Sequence, residues 1–176
     1  RIQEQKGQIE TIKFLDNFRK VENNFLCYFI GGPSGKSGRE YLEELIQTVQ
    51  DLNLESHIEF LDNLPQTEIR DLLNKSKLLI HTSKFETFGL VAAEANAMGV
   101  PVLTTNSGSV LEIVESNENG YYSESLIDGN VNNFVKELLN NNDKFYEIML
   151  NCLDKSKTYS WANTAREIEI LYKDFA

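Results

Sequence analysis

Cysteine, proline and positive charge are all scarce in this sequence. Its 176 residues include two cysteines, three prolines, one tryptophan and two histidines. Cys27 lies in an apolar β-like run and Cys152 in a helical pattern, with no Cys-x-x-Cys pair and no Cys/His ligand spacing. This excludes a disulfide framework and a zinc site of common spacing, and it predicts two reduced structural thiols in a cytoplasmic protein. Lysine and arginine total 17 against 27 aspartates and glutamates, a net charge of −10 with a pI near 4.7. Such a balance opposes broad attraction to nucleic acid or to an anionic membrane, and leaves room for a small cationic pocket sized for one phosphate group. No apolar run approaches the roughly 18 residues of a membrane-spanning helix. No repeat of solenoid length is visible. The sequence opens on Arg1 rather than methionine, and a longer polypeptide is expected.

What is present is the pattern of one soluble α/β domain over residues 1–176, with 41% hydrophobic and 25% charged residues. Residues 7–20, 39–52, 65–76 and 88–99 carry apolar side chains at helical spacing, the third entered at Pro65 and the last stopped by Gly99. Between them stand short apolar runs at 24–30, 77–83 and 100–105 and an alternating strand at 57–61, then a short helix at 110–115, an Asn119-Gly120 turn and a short Tyr121-Tyr122 strand. Two or three helices finish the chain, with a loop at 140–142. Strands that read as continuous apolar runs and alternate with helices predict a parallel sheet covered on both faces. Ligands in such sheets bind beyond the carboxyl ends of the strands. The loops at 31–38, 62–65, 82–87 and 105–109 are therefore the ones to inspect.

The first of these loops imitates a nucleotide-triphosphate site. Gly31-Gly32 follow a strand, and Gly35-Lys36-Ser37 open a helix. The Walker A pattern needs four residues between its first glycine and Gly-Lys-Ser. Here that position is Ile30, and counting from Gly31 leaves one residue too few. Pro33 removes a further amide from any phosphate cradle. The loop reads as a turn with Lys36 and Arg39 solvated.

A stronger constellation lies at 83–122. Glu86 precedes a helix start made of Thr87, Phe88, Gly89 and Leu90, and Glu94 follows inside the helix with seven residues between the two glutamates. The free amides and positive dipole end of a helix start favour an anion, and Gly89 admits a ligand close to the backbone. Carboxylates repel phosphate but accept hydrogen bonds from hydroxyls. Their separation, at most about 12 Å along a helix, suits a ligand with hydroxyls at both ends and phosphate between: ribose, diphosphate, sugar.

These residues resemble the carboxyl-terminal domain of retaining glycosyltransferases of family 4, also called group 1, which have the GT-B fold. The family's two glutamates and the following Ala-x-Gly-x-Pro-Val are matched by Glu86, Glu94 and Ala97-Met98-Gly99-Val100-Pro101-Val102. Its glycine-rich loop, Glu-x-Val and Asn-Gly pattern are matched by SGSVLEIVESNENG. Thr87 replaces a common glycine, and Leu111 a common proline. RIQEQKG resembles the family's Gly-Arg…Lys-Gly element, GGP its loop after the second strand, HIEFLDNLPQ the strand and loop near the base, and Tyr159-Ser160-Trp161 an aromatic element before the last helix.

The resemblance implies an α/β, Rossmann-like parallel sheet with helices on both faces, one half of a GT-B fold, lacking its first strand. That strand, a central one, and an amino-terminal acceptor domain would lie upstream. It implies Glu86 beside the donor sugar as the catalytic position, Arg1 and Lys6 as the cations on the donor diphosphate, the amides of Phe88, Gly89 and Leu90 on sugar and diphosphate, and Glu94 on ribose hydroxyls. The substrate would be a nucleotide-diphosphate sugar, with no metal and no cofactor. The sugar would pass with retention to an acceptor such as a growing surface glycan or glycolipid, on the cytoplasmic side of a membrane that the missing part would touch peripherally. The partners implied are the nucleotide sugar and the chain's own amino-terminal domain, with no nucleic acid. A non-catalytic nucleotide-sugar-binding module and a GT-B epimerase remain as alternatives. His57 and His81 read as structural histidines of strands, and the Asn74-Lys75-Ser76 sequon as chance.

Overall fold

The computed structural model describes residues 1–105 and 108–174. Asn106 and Ser107, part of the loop expected at 105–109, lie outside the described residues, as do Phe175 and Ala176. A 3-10 turn at Glu4–Lys6 leads into α1 (Gln8–Phe18), then β1 (Cys27–Ile30), α2 (Gly35–Asp51), β2 (Ile58–Leu61), α3 (Gln66–Lys75), β3 (Leu79–His81), α4 (Leu90–Ala97), β4 (Val102–Thr105), α5 (Val110–Ile113) and β5 (Gly120–Ser123). Helices α6 (Gly129–Asn140), α7 (Asn142–Ser156) and α8 (Trp161–Asp174) complete the chain.

Every strand pairing is parallel, as the unbroken apolar runs predict. Successive side chains of a strand point to opposite faces of the sheet. On β4, Val102 belongs to the core that holds Ala92 and Ala95 of α4 and Val110 of α5, while Leu103 belongs to the larger core that holds Phe14 of α1 and Val135 of α6. Both residues are fully buried, which is why this strand shows no polar alternation. Helix α1 buries Ile12, Phe14, Leu15 and Phe18, and α2 buries Tyr41, Leu45 and Val49, in the same larger core.

The sheet is split. Among the described residues β1 pairs only with β2, and β3, β4 and β5 form a second group in that order. The segment ahead of α1 runs between the carboxyl ends of the two groups. On one side Ile2 donates to Gly32 O (3.0 Å) and accepts from Ser34 N (3.2 Å), a parallel bridge to Pro33 just after β1. On the other side Lys84 N donates to Gln5 O (2.8 Å) and Thr82 Oγ1 donates to Lys6 O (3.2 Å), just after β3. The unpaired edges of β1 and β3 therefore flank the run into Ile2.

Helix α2 begins at Gly35 rather than at Arg39. Its first turn, Gly-Lys-Ser-Gly, has no apolar residue to register a helical period, yet Gly38 packs tightly enough on Ile2 and Pro33 that a Cβ there would stand 3.0 Å from Ile2 O. β1 starts later than the apolar run does, because Phe25 is diverted to pack on Phe18 and the His57 ring. Among the described residues no helix is long and apolar enough to cross a membrane.

Candidate functional site

The strand-side amides of the imitation P-loop are used internally. Gly31 N donates to Leu61 O, Gly32 N to Asn63 Oδ1 and Ser34 N to Ile2 O. Lys36 is exposed on the first turn of α2, 3.6 Å from Glu40. With these three amides committed and the spacing one residue short, the loop does not curl round a phosphate as a Walker A loop does.

The amide-rich start of α4 is different, and the chain around it is held from several sides. Thr82 and Ser83, directly after β3, are buried. The hydroxyls of Thr11 and Thr82 lie 3.0 Å apart. Gly7 adopts φ 65°, and a Cβ on it would stand 2.0 Å from Thr82 O, so only glycine lets the backbone after Lys6 lie against the end of β3. That approach delivers Lys6: its Nζ donates to Glu86 Oε2 at 2.9 Å. Glu86 also receives Thr87 N on Oε1 (3.2 Å), and its carbonyl accepts from Ser109 Oγ (3.2 Å). The hydrogen bond from Lys6 holds the Glu86 carboxyl below its usual range; burial opposes this, and the Lys6 charge, His81 and Thr87 N add to the lowering. Gly89 is the N-cap of α4 at φ 90°, with space for a Cβ closed by Val110 Cγ2 at 2.7 Å. The helix start is thus seated directly on α5.

Lys6, Glu86, Thr87, Phe88, Gly89, Leu90, Val91 and Glu94 line one cavity of about 320 Å3. Six of the seven residues expected at the site, Lys6, Glu86, Phe88, Gly89, Leu90 and Glu94, are brought together there. Arg1 is not among the lining residues. It is exposed over the end of β1, its carbonyl accepting from Gln8 Nε2 at 2.9 Å and its backbone nitrogen close to Gly31. The cavity carries one ammonium, two carboxylates and, at a helix start, the amides of Phe88, Gly89 and Leu90, which have no partner among the described residues, with Phe88 and Leu90 adding apolar surface. It offers charge to an anion and acceptors to hydroxyls in one volume.

His81 is the residue the sequence reading set aside. It is 5% exposed, at the end of β3, with Nε2 3.4 Å from Glu86 Oε2 and Nδ1 3.2 Å from Thr104 Oγ1. Its only signal in the sequence is a polar residue ending an apolar strand five positions before Glu86. His57, by contrast, packs on Phe25 and bonds Asn23 and Ser56, away from the cavity. A second, smaller hollow between Glu115, Asn119, Asn151 and Lys155 is a fold feature: Asn119 bonds Glu115 N and Ile113 O to shape the turn after α5, and Lys155 pairs with Glu115. Among the described residues no group of three or more His, Cys, Asp or Glu is placed to hold a metal ion.

A parallel sheet with helices on both faces and a ligand-sized cavity beyond its strand ends defines a Rossmann-like α/β domain, the carboxyl-terminal half of the GT-B arrangement. The chain belongs to the family described as glycosyl transferases group 1, whose pattern matches residues 1–151. Among curated relatives, D-inositol 3-phosphate glycosyltransferase of Corynebacterium glutamicum (strain R) is 29% identical over 180 residues, covering 99% of this chain and 42% of that protein. The GDP-Man:Man(3)GlcNAc(2)-PP-Dol alpha-1,2-mannosyltransferase of Dictyostelium discoideum is 26% identical over 165 residues, covering 91% and 32%. Among solved structures, Anabaena HepE in complex with UDP superposes with a TM-score of 0.83 at 25% identity, covering 99% of this chain and 47% of that one. The carboxyl-terminal domain of LpcC from Francisella tularensis superposes with a TM-score of 0.76 at 26% identity, covering 90% and 81%. The chain spans about two fifths of the length of the first of these curated relatives.

Proposed function

We propose that this chain is the donor-binding half of a retaining glycosyltransferase and that its cavity holds a nucleotide-diphosphate sugar. The observation that carries the reading is the meeting of Lys6, Glu86, the start of α4 and Glu94 around one volume. Lys6 and the amides of Phe88, Gly89 and Leu90 take the diphosphate and stabilise it as the leaving group. Glu86 orients the sugar, and Glu94 accepts hydrogen bonds from ribose hydroxyls. Arg1 joins the diphosphate once the run into Ile2 is fixed on both sides. The family resemblance adds retention, independence of metal and cofactor, and donor phosphate as the group that helps deprotonate the acceptor, so no protein nucleophile is required.

The remainder of the enzyme completes this half in two places. A strand entering Ile2 from upstream would run parallel to β1 and fill the space between the free edges of β1 and β3, joining the two groups into one sheet. Unpaired edges of this kind are otherwise an aggregation liability. On α8, Trp161 is 89% exposed and Tyr172 75%, beside exposed Ile168 and Leu171. This face suits an amino-terminal domain carrying the acceptor site, in a cytoplasmic enzyme working at the inner face of a membrane on a glycan or glycolipid.

The test is transfer by the full-length chain from a panel of UDP- and GDP-sugars to glycan and lipid acceptors, read as sugar incorporated. Glu86→Ala should lower kcat about a hundredfold with little change in KM, whereas Glu94→Ala should mainly raise the donor KM. Equal activity of wild type and both variants contradicts the assignment. Donor binding without transfer would favour a binding module, and sugar interconversion without acceptor an epimerase.

A further inference from the structure

His81 turns both ring nitrogens toward oxygen atoms, Nδ1 to Thr104 Oγ1 and Nε2 to Glu86 Oε2. The Thr104 hydroxyl has one hydrogen, and gives it to Thr105 O at 2.9 Å. Toward Nδ1, Thr104 Oγ1 is therefore an acceptor. Glu86 is ionised beside Lys6, and a carboxylate only accepts. Both nitrogens face acceptors, which is the bonding of an imidazolium. Burial opposes that charge and pushes the ring's pKa down; Glu86 works against this and Lys6 with it. Those two are the charged groups acting on the ring, since β4 presents it with the uncharged hydroxyl of Thr104. A neutral ring carries a single N–H and leaves one of the two contacts unmade.

The geometry points to His81 as a positioning residue for Glu86, one that takes a proton from solvent when Lys6 leaves Glu86 for the diphosphate of a bound donor. One ammonium cannot neutralise both. Lys6 reaches Glu86 from the wall of the same cavity in which the diphosphate would sit. Once it turns to that dianion, the partners left to the Glu86 carboxylate among the described residues are His81 and Thr87 N. A proton on the ring then supplies Nε2–H to Glu86 and Nδ1–H to Thr104 with no heavy atom moved, and Glu86 keeps its orientation and a balanced charge. By linkage, a ligand that raises a group's pKa binds with proton uptake. The identity of the ligand rests on the donor-site reading; the coupling of His81 to Lys6 does not.

The full-length chain is labelled at histidine Cε1 and titrated by NMR, with the His81 signal assigned by its loss in His81→Gln. Lys6→Met, which removes the competing ammonium, should raise the His81 pKa; an unchanged or lower value overturns the proposal whether or not any donor binds. Calorimetry with UDP-glucose and GDP-mannose in buffers of different ionisation enthalpy then reads proton uptake. Neither donor's diphosphate diester titrates near neutrality. Uptake should approach one proton in the wild type near neutral pH and vanish in His81→Gln, whose amide still donates to Glu86 but takes no proton. His81→Gln should keep most of the turnover and lose its pH dependence, while His81→Leu should lose about ten- to a hundredfold in kcat at little change in donor KM. Equal uptake by wild type and His81→Gln overturns the proposal. A raised His81 pKa in Lys6→Met with no nucleotide sugar bound upholds the coupling and overturns the donor reading instead.

Discussion

Replacing Gly7 by alanine tests how Lys6 is delivered to the cavity. The substitution meets two costs. A left-handed alanine at φ 65° costs about 1–2 kcal/mol. Its Cβ would also stand 2.0 Å from Thr82 O, against the 3.4 Å of ordinary contact. Both atoms belong to backbone or sit directly on it, so the segment after Lys6 and the end of β3 must part by more than an ångström, an overpacking cost of about 1–3 kcal/mol. The total, about 2–5 kcal/mol, is a large share of the ~5–15 kcal/mol that stabilises a domain. At about 2–4 °C per kcal/mol for a domain of this size, the melting transition should fall by about 4–20 °C. Gly35→Ala is the control: φ is 68° there, but no atom lies within 4 Å of the added Cβ. It should lose only about 2–8 °C, from the backbone cost alone. Differential scanning calorimetry of the full-length chain reads both. The transfer assay reads the consequence, because a Lys6 displaced by about 1 Å should cost turnover on the order of a hundredfold, and only in Gly7→Ala. Coincident melting of the two variants, or wild-type turnover in Gly7→Ala, would refute the reasoning.

Acidification should destabilise the domain in two stages. The folded-state pKa values of His81 and Glu86 are both depressed, the first mainly by burial and the second by Lys6. Each therefore contributes stability that is present above its ordinary value and lost as pH falls toward the folded value. Thermal melts should show loss beginning near the ordinary histidine value of 6.5 and a further loss below the ordinary glutamate value of 4.5, the second stage shrinking in Lys6→Met. The cysteines should be inert in the folded state: burial pushes the thiols of Cys27 and Cys152 up to about 12. An aromatic disulfide reagent at pH 8 should leave Cys152, the fully buried one, unlabelled until denaturant is added, and its rapid labelling without denaturant contradicts the burial.

The sequence made the parallel core legible where burial is complete. β4 lies between two cores, so its residues are apolar on both faces and the strand is readable without its neighbours. The run from Glu86 to Glu94 was readable because a glycine before an alanine-rich helix and two spaced carboxylates make a chemical pattern, and six of the seven named residues meet in one cavity. What escaped was information carried by contacts distant in the chain. The first turn of α2 is glycine and polar residues, held as helix by packing on Ile2 and Pro33. His81 looks like an ordinary strand residue until the turn after β3 brings Glu86 back over it. Arg1 and Lys6 are close in sequence, but the bridge of Ile2 to Pro33 seats Arg1 over β1 while Gly7 sends Lys6 toward β3, so only Lys6 lines the cavity.

The central claim is that the cavity between Lys6 and Glu94 is where the nucleotide sugar binds. Calorimetric titration of the full-length chain with UDP, GDP, UDP-glucose and GDP-mannose, in wild type and Glu94→Ala, tests it most directly. A hydrogen bond to a charged acceptor contributes about 1.5–3 kcal/mol, so at least one of these ligands should bind the wild type and bind Glu94→Ala about ten- to a hundredfold more weakly. Equal affinity of the two proteins for every ligand that binds, or the absence of binding by all four, would contradict it.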